Sequence, residues 1–345
     1  MSAATDRPAK LARLHDLLDA AGARQLVLTA PENLAWFFDG ARVAVPYAGP
    51  AVFQAQIDRD GGVVVHALVN EAERLADEEL PGVEIVPVPW YAAFPDPGPT
   101  SLVDTALVAE LRAARAVLLP VERDRYRALG RDAATAMSAV LRAARPETTE
   151  AALAGELVRA IVELGAEPVV VLVGGESRRA VRHPLPTGAP LGRRALVAVG
   201  ARRHGLVANL TRWVRFGPTP DDALDAALVE VEADAFAATI PGRALGDVLG
   251  DIADAYPRHG LPADAWQGHH QGGPTGYLGR DPKVLPDTAD LVVAGQAYAW
   301  NPSVPGGKVE DTVIVGSTGI EVLTADPWWP VAPVRGLPRP LPLEP

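Results

Sequence analysis

The sequence predicts an α+β protein in two parts. Residues 1–145 form an N-terminal α/β unit, residues 146–325 a second domain of strand runs with helices set between them, and residues 326–345 a proline-rich tail. Three observations carry this. Helical and strand periodicities alternate up to about residue 120; a change of pattern follows Pro146; and the last twenty residues, "DPWWPVAPVRGLPRPLPLEP", are too rich in proline for regular structure and are expected to lie over a surface or a neighbouring subunit.

The elements follow in order. Leu11, Leu14, Leu17 and Leu18 lie at helical spacing in residues 8–21, and "RQLVLT" (24–29) reads as a short buried strand. "AVFQAQIDRDGGVVVHAL" (51–68) is two β-rich runs around Asp60-Gly61-Gly62, a hairpin signal. Helical patterns at 70–78 and 101–115 alternate with the apolar runs "VEIVPVP" and "AVLLP". A long Ala/Leu/Arg-rich helix covers 122–144, and "RPETTEAAL" starts the next, 148–164, with Thr148 or Thr149 as N-cap. "PVVVLVGG" is a strand, and 194–217 reads as two long antiparallel strands around a turn at Arg203-His204-Gly205. Helices at 220–236 and 243–257, a Gly/Pro-rich loop at 268–282, and strands at 291–300 and 309–323 complete the domain.

Composition narrows the function classes. With 48% apolar residues the 345-residue chain can bury a sizeable core. A net charge of −11 with dispersed basic residues lacks the footprint of a nucleic-acid binder. No cysteine is present, so disulfides, thiolate metal sites and a cysteine nucleophile are excluded, and any metal would need His and carboxylate. No signal-peptide block and no apolar run of about 18 residues occurs, so the expectation is a cytoplasmic protein without membrane partners.

Four segments concentrate chemistry: "AVRHPLPT" with His183, "VAVGARRHGLVANLTR", "GHHQGGPTGYLGRDP" and "WNPSVPGGKVEDTVIV". His183 stands between Arg182 and Pro184 in a loop, where a histidine titrating near neutrality could take and return a proton. Arg280 could hold a carboxylate bidentately or pair with Asp281 or Glu310. Tyr277, Trp300 and Trp213 could wall a small-molecule pocket or belong to the core. His15, His66, His204 and His259 read as structural.

In order and spacing, these segments resemble the creatinase / aminopeptidase P / prolidase family (peptidase family M24), across nearly the whole chain. The resemblance implies a creatinase-like N-terminal domain, a C-terminal domain of the pita-bread fold, and a homodimer. The family's peptidases hold two metals with an Asp in Asp-x-Gly, an Asp before x-Thr-Arg, a His in Gly-His-x-x-Gly, a Glu before Pro and a Glu in Glu-Asp-Thr. Those positions are here Ala198, Asn209, His269, Asn301 and Glu310: three carboxylates are gone, so no metal and no other cofactor is implied. Creatinase works without metal, and its loop, opening with Gly-His and closing with Tyr-x-Gly-Arg-acid, is matched by Gly268-His269 and Tyr277 to Asp281. By the same resemblance His183 inherits a proton shuttle. Creatinase's carboxylates, however, fall at Thr211 and Asn301, which speaks against creatine.

The resulting expectation is a metal-independent hydrolase acting on a C–N bond of a small amino-acid-, peptide- or amidine-like substrate. Its catalytic residues would be His183, His269 and Glu310, with Asn209, Thr211, His270, Tyr277, Arg280, Trp300 and Asn301 lining the substrate. The alternatives are an inactive peptidase fold serving as a binding module, and a non-hydrolytic biosynthetic enzyme.

Overall fold

The computed structural model describes residues 5–98, 101–317 and 319–345. The chain divides into two compact units, Met1–Arg125 with His204–Leu206, and Tyr126–Arg203 with Val207–Pro345. The division falls inside the long helix, not at the expected Pro146. That helix has no interior Gly-Pro break and runs unbroken into the second unit.

The first unit is built on a five-stranded sheet of order β4-β3-β2-β1-β5, with β1 Gln25–Leu28, β2 Phe53–Asp58, β3 Val63–Leu68, β4 Glu84–Val88 and β5 Ser101–Val103. Helices α1 (Arg7–Ala21), α2 (Pro31–Phe37), α3 (Ala72–Arg74) and α4 (Val108–Ala116) accompany it. The predicted helix at 101–115 is thus split. Residues 101–103 instead extend the sheet parallel to β1, and Asp104 turns inward. Its buried carboxylate accepts the backbone N–H groups of Thr29 and Ala30, each at 2.8 Å, and so caps α2, whose N-cap Ala30 has no side-chain acceptor.

In the second unit, α5 (Pro120–Ala143) leads into α6 (Glu150–Glu163), capped by Thr149 Oγ1 on the Ala152 N–H at 3.2 Å. Strands β6 (Glu167–Gly174), β7 (Arg194–Arg203) and β8 (Leu206–Arg215) form one sheet, and β7 turns into β8 through His204 (φ 51°) and Gly205 (φ 74°). Positive φ at both central residues is the tight turn that matches strand twist. A second sheet has the order β14-β13-β10-β9, from β9 (Gly272–Thr275), β10 (Ala297–Trp300), β13 (Asp311–Val315) and β14 (Ile320–Val322), with the short ladder β11 (Ser303–Val304) and β12 (Gly307–Lys308) beside it. The apolar faces of α7 (Asp222–Ala238) and α8 (Leu245–Arg258) pack on Tyr298, Trp300, Val313 and Val315. Only Ala297–Trp300 of the expected 291–300 strand is regular.

The tail corrects the sequence expectation. Its prolines are spaced so that Val331–Val334 (β15) and Leu337–Pro340 (β16) still pair, turning on Arg335 (φ 48°) and Gly336 (φ 82°). The hairpin delivers Arg339 into the interior. There its guanidinium meets Glu232 of α7 and, at 2.6 Å, Asp311 of β13, while Arg212 of β8 reaches Asp311 at 2.7 Å. Burial pushes the Glu232 carboxyl up to about 7, helped by the charge of Asp311 and opposed by Arg339. Removing one member of a buried charge group leaves the rest uncompensated. Arg339→Ala is therefore expected to cost roughly 3–5 kcal/mol in denaturant unfolding. Arg335→Ala, whose side chain is 43% exposed, should cost about 1 kcal/mol or less.

Candidate functional site

The site lies in the second unit, where strand alternation sorts the side chains. Arg212 and Asp311 point to the buried ion network; their neighbours Thr211 and Glu310 point the other way. Thr211 donates its backbone N–H to the Glu310 carbonyl at 3.0 Å and its hydroxyl to Oε2 at 2.9 Å. Lys308 Nζ lies 2.9 Å from Oε2, and Arg280 Nη2 lies 2.5 Å from Oε1. Burial would raise this carboxyl, but Lys308 and Arg280 outweigh it and hold Glu310 down at about 2. Glu310 is thus ionised and enclosed by donors.

Beside it stand three histidines, whose ligand-capable nitrogens lie within 4.8 Å of one another: His183, His269 and His270. His269 Nε2 is 2.8 Å from His183 Nε2, and its Nδ1 is 2.6 Å from the His270 carbonyl. A carbonyl can only accept, so Nδ1 of His269 carries the proton, Nε2 is bare, and the proton between the rings belongs to His183 Nε2. His183 thereby keeps an unprotonated Nδ1. Burial, then Lys308 and His183, lowers His269 to about 4; burial, then His269 and Arg280, lowers His270 to about 3; burial and Lys308 also lower His183. All three are neutral at pH 7.

The loop is shaped by its glycines. Gly272 has φ 104°, and a Cβ there would sit 2.2 Å from the Ala299 carbonyl oxygen, so only glycine brings the histidine pair this close to β10. Gln271 then ties the loop down. Its amide donates to the carbonyls of Trp266 (2.8 Å) and His269 (2.7 Å), and its oxygen accepts from the Tyr256 hydroxyl (2.8 Å).

The other expected residues divide. Asn209 donates its amide to Thr275 Oγ1 at 3.2 Å and is buried on the face of β8 that carries Thr211. Asn301 is buried with a side-chain oxygen that has no partner among the described residues. Thr211 and Arg280 spend their side chains on Glu310. Tyr277 is buried. Trp300 is not a pocket wall: fully buried, it donates Nε1 to Thr239 Oγ1 at 2.9 Å within the α7–α8 core. Trp213 stacks under Arg194, 4.1 Å from ring centroid to guanidinium. Lys308, Gln271 and Tyr256 were missed. Lys308 was recoverable, since it stands two residues before Glu310 and a period of two places both on one face.

The two-metal centre of the resembled peptidases does not fit these residues. Ala198 offers no donor, Asn209 and Asn301 are neutral amides, and both Glu310 oxygens already face Lys308, Arg280 and Thr211. The histidine trio could offer three neutral nitrogens to a single ion, but the charges bearing on it are three cations, Lys308, Lys283 and Arg280, against one carboxylate, Glu310. The balance is net positive, which opposes a divalent ion. The arrangement can move protons and hold negative charge.

A mixed α+β unit with these sheets and a His–His–Glu site, with His183 in the loop between β6 and β7, His269 in the loop before β9 and Glu310 immediately before β13, defines a protein of the pita-bread class. Residues 124–317 match metallopeptidase family M24, more than half of the chain, and the chain belongs to that family. Solved structures agree on the fold. Dipeptidase PepE from Mycobacterium ulcerans is 22% identical with TM-score 0.74, the match covering 93% of this chain and 96% of that one. The prolidase from Pyrococcus horikoshii OT3 is 15% identical with TM-score 0.75 over 92% and 98%. A Xaa-Pro dipeptidase from Bacillus anthracis is 19% identical with TM-score 0.71 over 93% and 98%. No curated protein matches the chain. No helix among the described residues is long and apolar enough to cross a membrane.

Two predictions follow from the histidines. Lys308→Met removes a positive neighbour, so the His269 imidazole, titrating near 4, should move up toward 6.5 in an NMR pH titration. Because His269 and His270 have folded-state values below the unfolded one, the unfolded chain takes up their protons first, and stability is lost as pH falls from about 6.5 toward 4. A His269→Gln/His270→Gln double variant should show a shallower acid-side loss in urea unfolding at pH 7, 6 and 5.

Proposed function

We propose that this M24 member is a hydrolase of a C–N bond in a small amino-acid- or peptide-like substrate, acting without the family's two-metal centre and with His183 as general acid and base. The observation that carries this is the His183–His269 pair. A bare His183 nitrogen is backed by a hydrogen bond to a neighbour that is itself oriented by a backbone carbonyl. That is the base-plus-orienter arrangement hydrolysis needs.

In this reading His183 Nδ1 takes a proton from water as the water attacks the carbonyl carbon. The bare Nε2 of His269 stabilises the resulting imidazolium, and the same proton is then passed to the leaving nitrogen. Lys308 and Arg280, set around Glu310, favour negative charge developing on the carbonyl oxygen. The orphan oxygen of Asn301 suits a substrate N–H. These cations also disfavour a guanidinium substrate, which narrows the sequence expectation from amidines toward amides.

The test combines metal analysis of the purified protein with turnover of a panel of dipeptides and N-acyl amino acids. His183→Ala should lower kcat/KM by about 10²–10⁴. The wild-type kcat/KM should fall on an acid limb below about 6.5, because His183 is lowered from that value. A stoichiometric transition metal whose removal abolishes turnover would overturn the proposal, as would unchanged activity in His183→Ala.

A further inference from the structure

Arg182 has no part in the chemistry just described, yet its setting is unusual for this chain. In residues 126–345, every other described arginine that is buried or half-buried is paired with a carboxylate: Arg178 with Glu150, Arg194 with Asp225, Arg212 with Asp311, and the rest likewise. Arg182 is half-buried and, among the described residues, has no carboxylate partner. Its Nη1 donates to Ser303 Oγ at 2.9 Å, which fixes the plane of the guanidinium. Its Nη2 lies over the loop carrying the histidine pair, since a Cβ built on Gly268 would come within 2.7 Å of it.

Arg182 therefore stands at the site from two directions. It directly precedes His183, and Ser303, which orients it, lies two residues beyond Asn301 with its partnerless oxygen. The one carboxylate shown to bear on the histidines, Glu310, is committed to Lys308 and Arg280. Withdrawing a guanidinium from water without a counter-ion is unfavourable, and burial lowers its pKa accordingly. An oriented, half-buried and unpaired guanidinium is a receptor for an oxyanion, which it can grip with two parallel N–H donors.

We propose that Arg182 binds a carboxylate of the ligand, so that the site takes an anionic acyl amino acid or peptide whose carboxylate is held beside the His183–His269 pair. That the ligand is a substrate rests on the hydrolase reading above; the carboxylate site itself does not.

The experiment is calorimetric and NMR titration of the purified full chain with N-acetylglycine, acetate, neutral N-acetylglycinamide and inorganic phosphate, repeated on Arg182→Gln and Arg182→Lys. N-acetylglycine should bind saturably and shift the His183 and His269 imidazole signals, and N-acetylglycinamide should bind at least about tenfold more weakly. Arg182→Gln should weaken N-acetylglycine about ten- to hundredfold, with partial recovery in Arg182→Lys, while circular dichroism and thermal midpoint stay at wild-type values. Equal binding of the charged and neutral ligands, or wild-type affinity in folded Arg182→Gln, would overturn the proposal. Phosphate binding tenfold tighter than either carboxylate would overturn the carboxylate as the ligand group. Carboxylate binding without turnover of any amide leaves the Arg182 site standing and removes the hydrolase reading; turnover of neutral amides alone does the reverse.

Discussion

The buried charge group of Arg212, Asp311, Arg339 and Glu232 is what the second unit is organised around. It joins β8, β13, the C-terminal hairpin and α7, four elements far apart in sequence. All four side chains are buried, so removing one charge leaves the others uncompensated. Strand alternation gives this group a second effect. With Arg212 and Asp311 fixed inward, Thr211 and Glu310 can face only the opposite side, and the Thr211–Glu310 backbone bridge sets their register. The position of the one remaining acidic site residue is thus decided by an ion network behind it.

What that residue faces is an inversion of charge. In the resembled peptidases carboxylates gather around cations supplied as metal; here protein cations gather around one carboxylate. Lys308 and Arg280 neutralise Glu310 and leave surplus positive charge, and the same positive charge, with burial, keeps the histidines unprotonated. Neutral imidazoles in a cationic setting have a consistent chemistry: they can accept protons while the surroundings stabilise anions.

Much of this was legible in the sequence, for identifiable reasons. The hairpins at 53–68 and 194–215 were found because Asp-Gly-Gly and His-Gly announce turns, and α5 to α8 because their periodicity is unbroken. The bringing together of His183 and His269 followed from motif resemblance, since residues 86 positions apart carry no local signal of contact. Proline content misled in the tail, because alternate prolines on an edge hairpin leave enough N–H groups to pair, and the buried role of Arg339 has no local signature. Trp300 was misplaced because an aromatic beside a site motif can point to either face of its strand, and only packing against α7 and α8 decides which.

The clamp on Glu310 also bears on how this chain could change. Restoring Asp at Ala198 and Asn209 and Glu at Asn301 would supply the missing donors, yet the oxygens a metal needs would still be held by Lys308 and Arg280. A two-metal centre of the resembled kind would therefore need five side chains changed at once, and no single change among them would be rewarded by metal binding. In evolutionary terms such a site would work as a ratchet: with its cations supplied by the protein, a carboxylate introduced alone would find no open coordination at Glu310.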